Sequence, residues 1–120
     1  QRGMALPTRA VLATFAPDRR LFINLLANIT IFCDCWGMTT PSLVPDIGIL
    51  AGRDIVAIEQ ASLEMIRVEN LIPGCLPPGW EVGATGHLFE RLHGKDPFAV
   101  VDFLEEMEMG RKEYTLLEIT

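Results

Sequence analysis

The chain has 120 residues, and 49% of them are hydrophobic, which is enough for one domain with a buried core. Its net charge of −6, from 16 acidic against 10 basic residues, disfavours binding to nucleic acid or to an anionic membrane surface, because both need basic side chains. No apolar run reaches the roughly 18 residues of a spanning helix, so we expect no membrane association.

The first residue is Gln1 rather than an initiator Met. We therefore expect residues 1–120 to be a single domain from the C-terminal portion of a longer protein. The three cysteines, Cys33, Cys35 and Cys75, do not form the even set of a secreted disulfide framework. They favour a reducing, cytoplasmic compartment, where paired cysteines more often serve metal or redox chemistry than a structural bridge.

The first half of the chain predicts two strands separated by a loop. Residues 10–15 fit either a short strand or the end of a helix. Residues 21–32 are predicted as a strand, because Ile-Thr-Ile-Phe at 29–32 is rich in β-branched and aromatic side chains. Residues 33–45 contain glycine and proline breakers and predict a loop, and residues 46–51 predict a short buried strand.

Residues 54–68 carry the clearest helical pattern. Asp54 is the expected N-cap, with its carboxylate accepting an amide hydrogen of the first turn. Glu59 and Ser62 fall off the solvent stripe, so they are the polar residues on this helix that we expect to be partly buried. The solvent stripe consists of Gln60, Glu64 and Arg67.

The second half predicts a long loop, two helices and a last strand. Residues 70–86 hold several prolines and glycines and predict a functional loop or lid. Residues 87–92 predict one or two helical turns, and Asp96-Pro97 opens a second clear helix that Gly110 ends. Residues 114–119 predict a final strand.

These elements together predict a small α/β or α+β domain. We expect a small mixed sheet with two main helices packed on it, completed by sequence outside these 120 residues.

The segment Cys33-Asp34-Cys35 is the most chemically specific feature. Two thiolates one residue apart can bind one metal ion, and soft thiolates favour zinc, copper(I) or iron–sulfur centres. Zinc sites more often use wider spacing, and a four-thiolate cluster needs one more cysteine than the chain has. The alternative is a pair of small, packed structural residues. A second chain in a homo-oligomer could complete the site, or further ligands could come from Asp34, Asp46, Cys75, His87 or His93.

His87 and Glu59 are candidate acid–base residues. His87 follows the glycine-rich residues 83–86, and histidine is the side chain suited to proton transfer near neutral pH. Paired with Glu59 or Asp46, it supports a weaker hypothesis of a hydrolase or transferase. The alternatives are a helix-capping or surface histidine and a carboxylate that is satisfied by its local partners.

Four segments resemble the prokaryotic domain-of-unknown-function family often labelled iron–sulfur centre protein. The resemblance covers about residues 20–119, and its most specific part runs from the two cysteines to Ala61-Ser62. The segments are Asn-Leu-Leu-Ala-Asn-Ile-Thr-Ile-Phe-Cys-Asp-Cys at 24–35, Val-Pro-Asp-Ile-Gly-Ile at 44–49, Arg-Asp-Ile-Val-Ala-Ile-Glu-Gln-Ala-Ser at 53–62 and Met-Gly-Arg-Lys-Glu-Tyr-Thr-Leu at 109–116.

The resemblance implies a link to iron–sulfur proteins and to a ferredoxin-type domain or partner, whose cysteine motifs this chain lacks. Ile55 stands where the family usually has proline, and Glu59 where it usually has aspartate. The family has no established reaction, so no catalytic role carries over. The resemblance marks the following residues as candidates for a functional site: Cys33, Asp34, Cys35, Asp46, Asp54, Glu59 and His87.

The main hypothesis from the sequence is therefore a domain of uncharacterised activity with a redox role. Its cofactor would be an iron–sulfur cluster or a single metal ion such as zinc, with Cys33 and Cys35 as half of the site. A metal-free binding or scaffold domain is the alternative.

Overall fold

A computed structural model describes residues 1–119 and, for Asp34, the backbone alone. This part of the chain contains four α-helices and two strands. The elements are α1 (Arg2–Leu12), β1 (Phe22–Leu26), β2 (Gly48–Gly52), α2 (Ile55–Met65), α3 (Leu88–His93) and α4 (Phe98–Glu106), with short 3₁₀ turns at Pro17–Arg19, Asp34–Trp36 and Val68–Asn70.

The two strands form one antiparallel sheet, in which Phe22 lies opposite Gly52 and Leu26 opposite Gly48. Side chains alternate between the two faces of a strand. In β1 the even-numbered side chains are at least partly buried, while Ile23 and Leu25 are exposed, and α2 packs on both strands. The predicted small mixed α/β fold is confirmed.

Helix α2 begins where its sequence predicts. Asp54 Oδ1 accepts the amide hydrogens of Val56 at 2.8 Å and of Ala57 at 3.1 Å, so the expected N-cap is present. Ser62 is buried and donates to the carbonyl oxygen of Ile58, while Glu59 is half-buried. Both polar residues thus lie on the sheet side of the helix, where we expected partial burial.

Helix α4 is shorter than predicted. Asp96 accepts the amide hydrogen of Phe98 at 2.9 Å and so caps the helix as expected. The helix ends at Glu106 rather than near Gly110. Glu108 adopts a left-handed backbone conformation with φ of 57°, and this ends the helical hydrogen-bonding pattern before the glycine is reached.

Two clusters of buried side chains hold the domain together. The smaller cluster joins α1 and α4 to α2 through Ala5, Val56, Val101 and Leu104. The larger one lies among the loops and α3, and it consists of Ile31, Leu43, Val44, Ile66, Cys75, Leu88 and Leu92.

The strands predicted at residues 29–32 and 114–119 are absent, and the structure decides between the two interpretations of residues 10–15. Residues 29–32 lie outside β1, because Ile31 is buried in the larger cluster and Ile29 bonds the loop residue Leu43. Residues 114–119 are not paired in the sheet; Tyr114 is instead held by a side-chain hydrogen bond to Glu64. Of the two interpretations of residues 10–15, the end of a helix is correct, since α1 runs to Leu12.

Among the described residues, no helix has both the length and the apolar character needed to cross a membrane.

Candidate functional site

The cysteine pair lies on an exposed turn that is anchored from its N-terminal side. Ile31 is buried in the larger cluster, and Thr30 Oγ1 donates to the carbonyl oxygen of Phe32 at 2.7 Å. The amide of Trp36 then donates to the carbonyl oxygen of Cys33 at 3.1 Å and closes the 3₁₀ turn. A buried anchor followed by a tight turn therefore holds both cysteines at the surface.

The structure joins Cys33 and Cys35 in a disulfide, with their Cα atoms 5.4 Å apart. Both residues are exposed to solvent. The amide nitrogen of Cys35 lies 3.3 Å from Cys33 Sγ and donates to it. The sulfurs that the sequence placed together are thus in direct contact, and a hydrogen-bond donor points at one of them.

Aromatic rings surround the turn on the protein side. The ring centroid of Phe32 lies 5.6 Å from that of Trp36 and 5.4 Å from that of Trp80, which stands edge-on to it. Trp80 in turn contacts the ring of His93, at 6.4 Å. These four residues form what we term the aromatic cluster. It packs the exposed turn against residues 80 and 93, because tilted and edge-to-face rings pack favourably.

A shallow cavity of about 360 Å³ adjoins Cys33. Its inner surface is mostly apolar, and Lys95 and His93 contribute its basic groups. Among the described side chains that line it there is no carboxylate. The lining consists of Gln1, Thr30, Ile31, Phe32, Cys33, Phe89, His93, Lys95 and Pro97.

The weaker metal-ligand candidates are engaged elsewhere. Asp46 Oδ1 accepts the amide hydrogen of Asn28 at 2.8 Å. Cys75 is buried, and its thiol points at the carbonyl oxygen of Leu43 at 4.0 Å. Within residues 1–119 no three His, Cys, Asp or Glu side chains are grouped to hold a metal ion. The Asp34 side chain lies outside the described part of the structure.

His87 acts as a helix cap. Its Nδ1 accepts the amide hydrogen of Phe89 at 3.1 Å at the start of α3. Its Nε2 lies 2.8 Å from the carbonyl oxygen of Leu63 and donates to it, which ties α3 to the end of α2. Both ring nitrogens are therefore occupied, as in the capping interpretation of the sequence.

Glu59 is satisfied locally as well. Its carboxylate accepts from Asn24 Nδ2 at 3.1 Å, and the same amide group donates to Ser62 at 2.9 Å. The hydrogen bonds of His87, Glu59 and Asp46 in the described structure all go to other groups. Among the described hydrogen bonds, none joins His87 to Glu59 or to Asp46, the pairing that the hydrolase or transferase hypothesis needs.

The described donors do not make a complete metal site. An iron–sulfur cluster is commonly held by four thiolates, and the chain offers two exposed sulfurs and a buried third in Cys75. These residues cannot hold a complete cluster by themselves. The interpretation of the cysteines as packed small residues suits Cys75, but it does not suit the exposed pair.

The aromatic cluster and the cavity were not predicted from the sequence. Phe32 and Trp36 flank the cysteines directly, so aromatic residues on both sides of the pair were the available signal. Trp80, His93 and Lys95 come from distant segments, and only the packing of the loops brings them to the turn.

The family model described as "Domain of unknown function (DUF362)" matches residues 4–64, just over half of the chain. The match includes the cysteine turn, both strands and most of α2. Neither a curated protein nor a solved structure matches the chain.

Proposed function

This chain belongs to the DUF362 family of unknown function, and we propose that it is a redox domain whose Cys33–Cys35 pair cycles between disulfide and dithiol. The observation that carries the proposal is the placement of two solvent-exposed, mutually bonded cysteines on one anchored turn. Thiol–disulfide exchange needs sulfurs that a reaction partner can reach. Cys33 and Cys35 meet that requirement, whereas Cys75 does not.

The disulfide contributes less as a structural bridge than one that closes a long loop. In the chain-entropy account, a bridge stabilises a protein by restricting the unfolded chain, and the effect grows with the length of the closed loop. A 15-residue loop is worth about 3 kcal/mol in that account. Cys33 and Cys35 are separated by two positions, so the same relation gives their bridge roughly half of that stabilisation. A role in exchange explains the pair better than a role in stability.

The two cysteines take different parts in the exchange. In the reduced form, the amide hydrogen of Cys35 stabilises a thiolate on Cys33, because a donor favours the charged form. The Cys33 thiolate attacks a sulfur of an external disulfide and forms a mixed disulfide, which releases one partner thiolate. The Cys35 thiolate then attacks Cys33 Sγ, so the second partner thiolate leaves. Two electrons pass from the pair to the partner, and the released thiolates take up the two protons.

A second candidate function uses the same sulfurs as metal ligands. Cys33 and Cys35 lie close enough to chelate one ion when reduced, and soft thiolates suit zinc or an iron–sulfur cluster. The remaining ligands would come from a second copy of the chain or from a ferredoxin-type domain or partner. The family resemblance and the adjacent sulfurs support this candidate.

The test is a redox titration of the purified protein in dithiothreitol buffers, followed by mass spectrometry of thiols alkylated after acid quenching. We expect one reversible two-electron transition that involves Cys33 and Cys35 alone. The Cys75→Ser variant is the matched control and should keep the transition, whereas Cys33→Ser and Cys35→Ser should abolish it. An irreversible reduction that unfolds the domain would overturn the exchange function.

The metal candidate has a separate readout. Reduced protein is dialysed anaerobically against zinc, and bound metal is measured by elemental analysis of wild type and Cys33→Ser. Stoichiometric zinc that the serine variant loses supports the half-site. Equal metal content in both proteins would exclude it.

A further inference from the structure

We propose that the cavity beside Cys33 binds a small, carboxylate-bearing thiol or its disulfide, which is the redox partner of the Cys33–Cys35 pair. This inference rests on the proposed exchange function and names the chemical class of its substrate.

The size of the cavity favours a small molecule. Its volume of about 360 Å³ lies near the lower end of the range typical of small-molecule sites, about 300 to 1,000 Å³. Cys33 is part of the lining, so a bound molecule lies in contact with the residue it must react with. Apolar contacts come from Ile31, Phe32 and Phe89, and these can hold the aliphatic part of such a ligand.

The charge of the cavity favours an anion. The chain as a whole carries a net charge of −6, yet the described side chains that line this cavity include Lys95 and His93 and no carboxylate. A lysine at the edge of an apolar surface attracts a carboxylate and fixes its position relative to the rest of the ligand. We therefore expect the carboxylate of the ligand to lie at the end remote from its sulfur, near Lys95. The sulfur of the ligand then faces Cys33.

Reduction of the Cys33–Cys35 disulfide consumes two molecules of the thiol. The first thiolate attacks Cys33 Sγ and forms a mixed disulfide, and the Cys35 thiolate leaves and takes a proton. A second thiolate attacks the ligand sulfur of the mixed disulfide, so the ligand leaves as its own disulfide and Cys33 is freed as a thiolate that takes the second proton. Two thiols are thereby oxidised and one protein disulfide is reduced.

The experiment compares three thiols of similar length and different charge. Mercaptopropionate is anionic, mercaptoethanol is neutral and cysteamine is cationic. Each reduces the oxidised protein at low ionic strength, and the rate constant is divided by the fraction of thiolate, since reactivity depends on the thiolate. Wild type is compared with Lys95→Gln. Arg53→Gln serves as the matched control, because Arg53 is an exposed cation that lines a different cavity.

We expect mercaptopropionate to react faster per thiolate than mercaptoethanol, and cysteamine more slowly. In Lys95→Gln the anionic-to-neutral rate ratio should fall by a factor of about 1.4 to 5, the range given by one exposed pair of opposite charges. Arg53→Gln should keep the wild-type ratio. Asp34, next to Cys33 in sequence, is unchanged in all three proteins, so its charge cancels from the comparison.

A trapping experiment tests the position of the ligand. In Cys35→Ser, which has no resolving cysteine, the disulfide of mercaptopropionate should form a mixed disulfide at Cys33, seen as the mass of one bound thiol. Cys33→Ser should form the corresponding adduct at Cys35 more slowly.

The outcomes separate the two proposals. Equal anionic-to-neutral ratios in wild type and Lys95→Gln, with reduction still reversible, overturn the cavity assignment and leave the exchange function standing. Failure of all three thiols to reduce the pair reversibly overturns the exchange function itself.

Discussion

The carboxylate of Asp54 joins the start of α2 to the main chain of Arg111. Its Oδ2 accepts the amide hydrogen of Arg111 at 3.0 Å, while its Oδ1 caps the first turn of the helix. The two residues are 57 positions apart in the chain. One side chain thus sets both the beginning of a helix and the path of the C-terminal segment.

Replacing Asp54 should therefore lower the stability of the whole domain. Asp54→Ala removes the cap and the bond to Arg111, and loss of a cap alone costs roughly 0.5 to 2 kcal/mol. We expect the free energy of unfolding to fall by about 2 kcal/mol, and by less in Asp54→Asn, which retains an oxygen acceptor. Urea denaturation measures the change. Asp18→Ala is the control and should leave the free energy of unfolding unchanged, because Asp18 is an exposed acid in a short turn. If Asp54→Ala lowered the free energy of unfolding no more than Asp18→Ala does, Asp54 would not hold both the helix start and Arg111.

Gly110 is constrained by the same carboxylate. A Cβ atom added there would lie 1.9 Å from Asp54 Oδ1, so the cap would have to move. We expect Gly110→Ala to destabilise the domain by about 0.5 to 2 kcal/mol, the range for a lost cap. Gly3→Ala is the control, since nothing lies within 4 Å of a Cβ at that position. The prediction also requires that Gly110→Ala cost much less in an Asp54→Ala background than in wild type.

Tyr114 and Glu64 form a hydrogen bond that depends on pH. The bond from Tyr114 holds the pKa of Glu64 below its usual 4.5, with a further contribution from Gln60. The Glu64 carboxylate raises the pKa of Tyr114 above its usual 10.0. The contribution of Glu64 to stability is therefore present above about pH 4.5 and is lost as the pH falls through the lower folded value. The contribution of Tyr114 is present below about pH 10 and is lost as the pH rises through the higher folded value.

Tyr114 is the single tyrosine of the chain, so phenolate absorbance reports this bond alone. We expect its titration midpoint to lie above 10.0 in wild type and to move down in Glu64→Gln. Glu69→Gln is a matched exposed control and should leave the midpoint unchanged. A midpoint that does not respond to Glu64→Gln would show that the bond is absent in solution.

The three thiols should differ in their reactivity towards alkylation. After mild reduction of the native protein, Cys33 and Cys35 are exposed and should react rapidly. Cys75 is 4% exposed, so its modification must wait for local or global opening. Mass spectrometry over time should show two fast additions and one slow one that urea accelerates. If Cys75→Ser loses the slow addition, that addition belongs to Cys75. Three equal alkylation rates would contradict the burial of Cys75.

Local signals were sufficient for the starts of α2 and α4, but they did not predict α1. The apolar pattern and the Asp54 cap predicted α2, and Asp96-Pro97 predicted the start of α4. Both depend on residues within one or two helical turns of each other, where side-chain spacing and capping chemistry decide the structure. The long loop at residues 70–86 followed from its prolines and glycines in the same way.

Strand predictions failed where tertiary contacts outweigh propensity. Ile-Thr-Ile-Phe at 29–32 has strong β-propensity, yet Ile31 is buried among residues from distant loops. Residues 114–119 have strand-like composition, but no neighbouring strand pairs with them in the described chain. A strand needs a partner, and the sequence of one segment does not specify which partner is available.

The sequence by itself determined the cysteine pair, because a spacing of two residues keeps the sulfurs near each other in any compact turn. Only the tertiary structure decided the surroundings of that pair. It placed His87 at a helix cap, bonded Asp46 to the amide of Asn28 and buried Cys75, and it brought Trp80 and Lys95 to the turn. These placements depend on long-range packing of the loops. The physical reason is that the packing decides which hydrogen-bond partners lie within reach of each polar group.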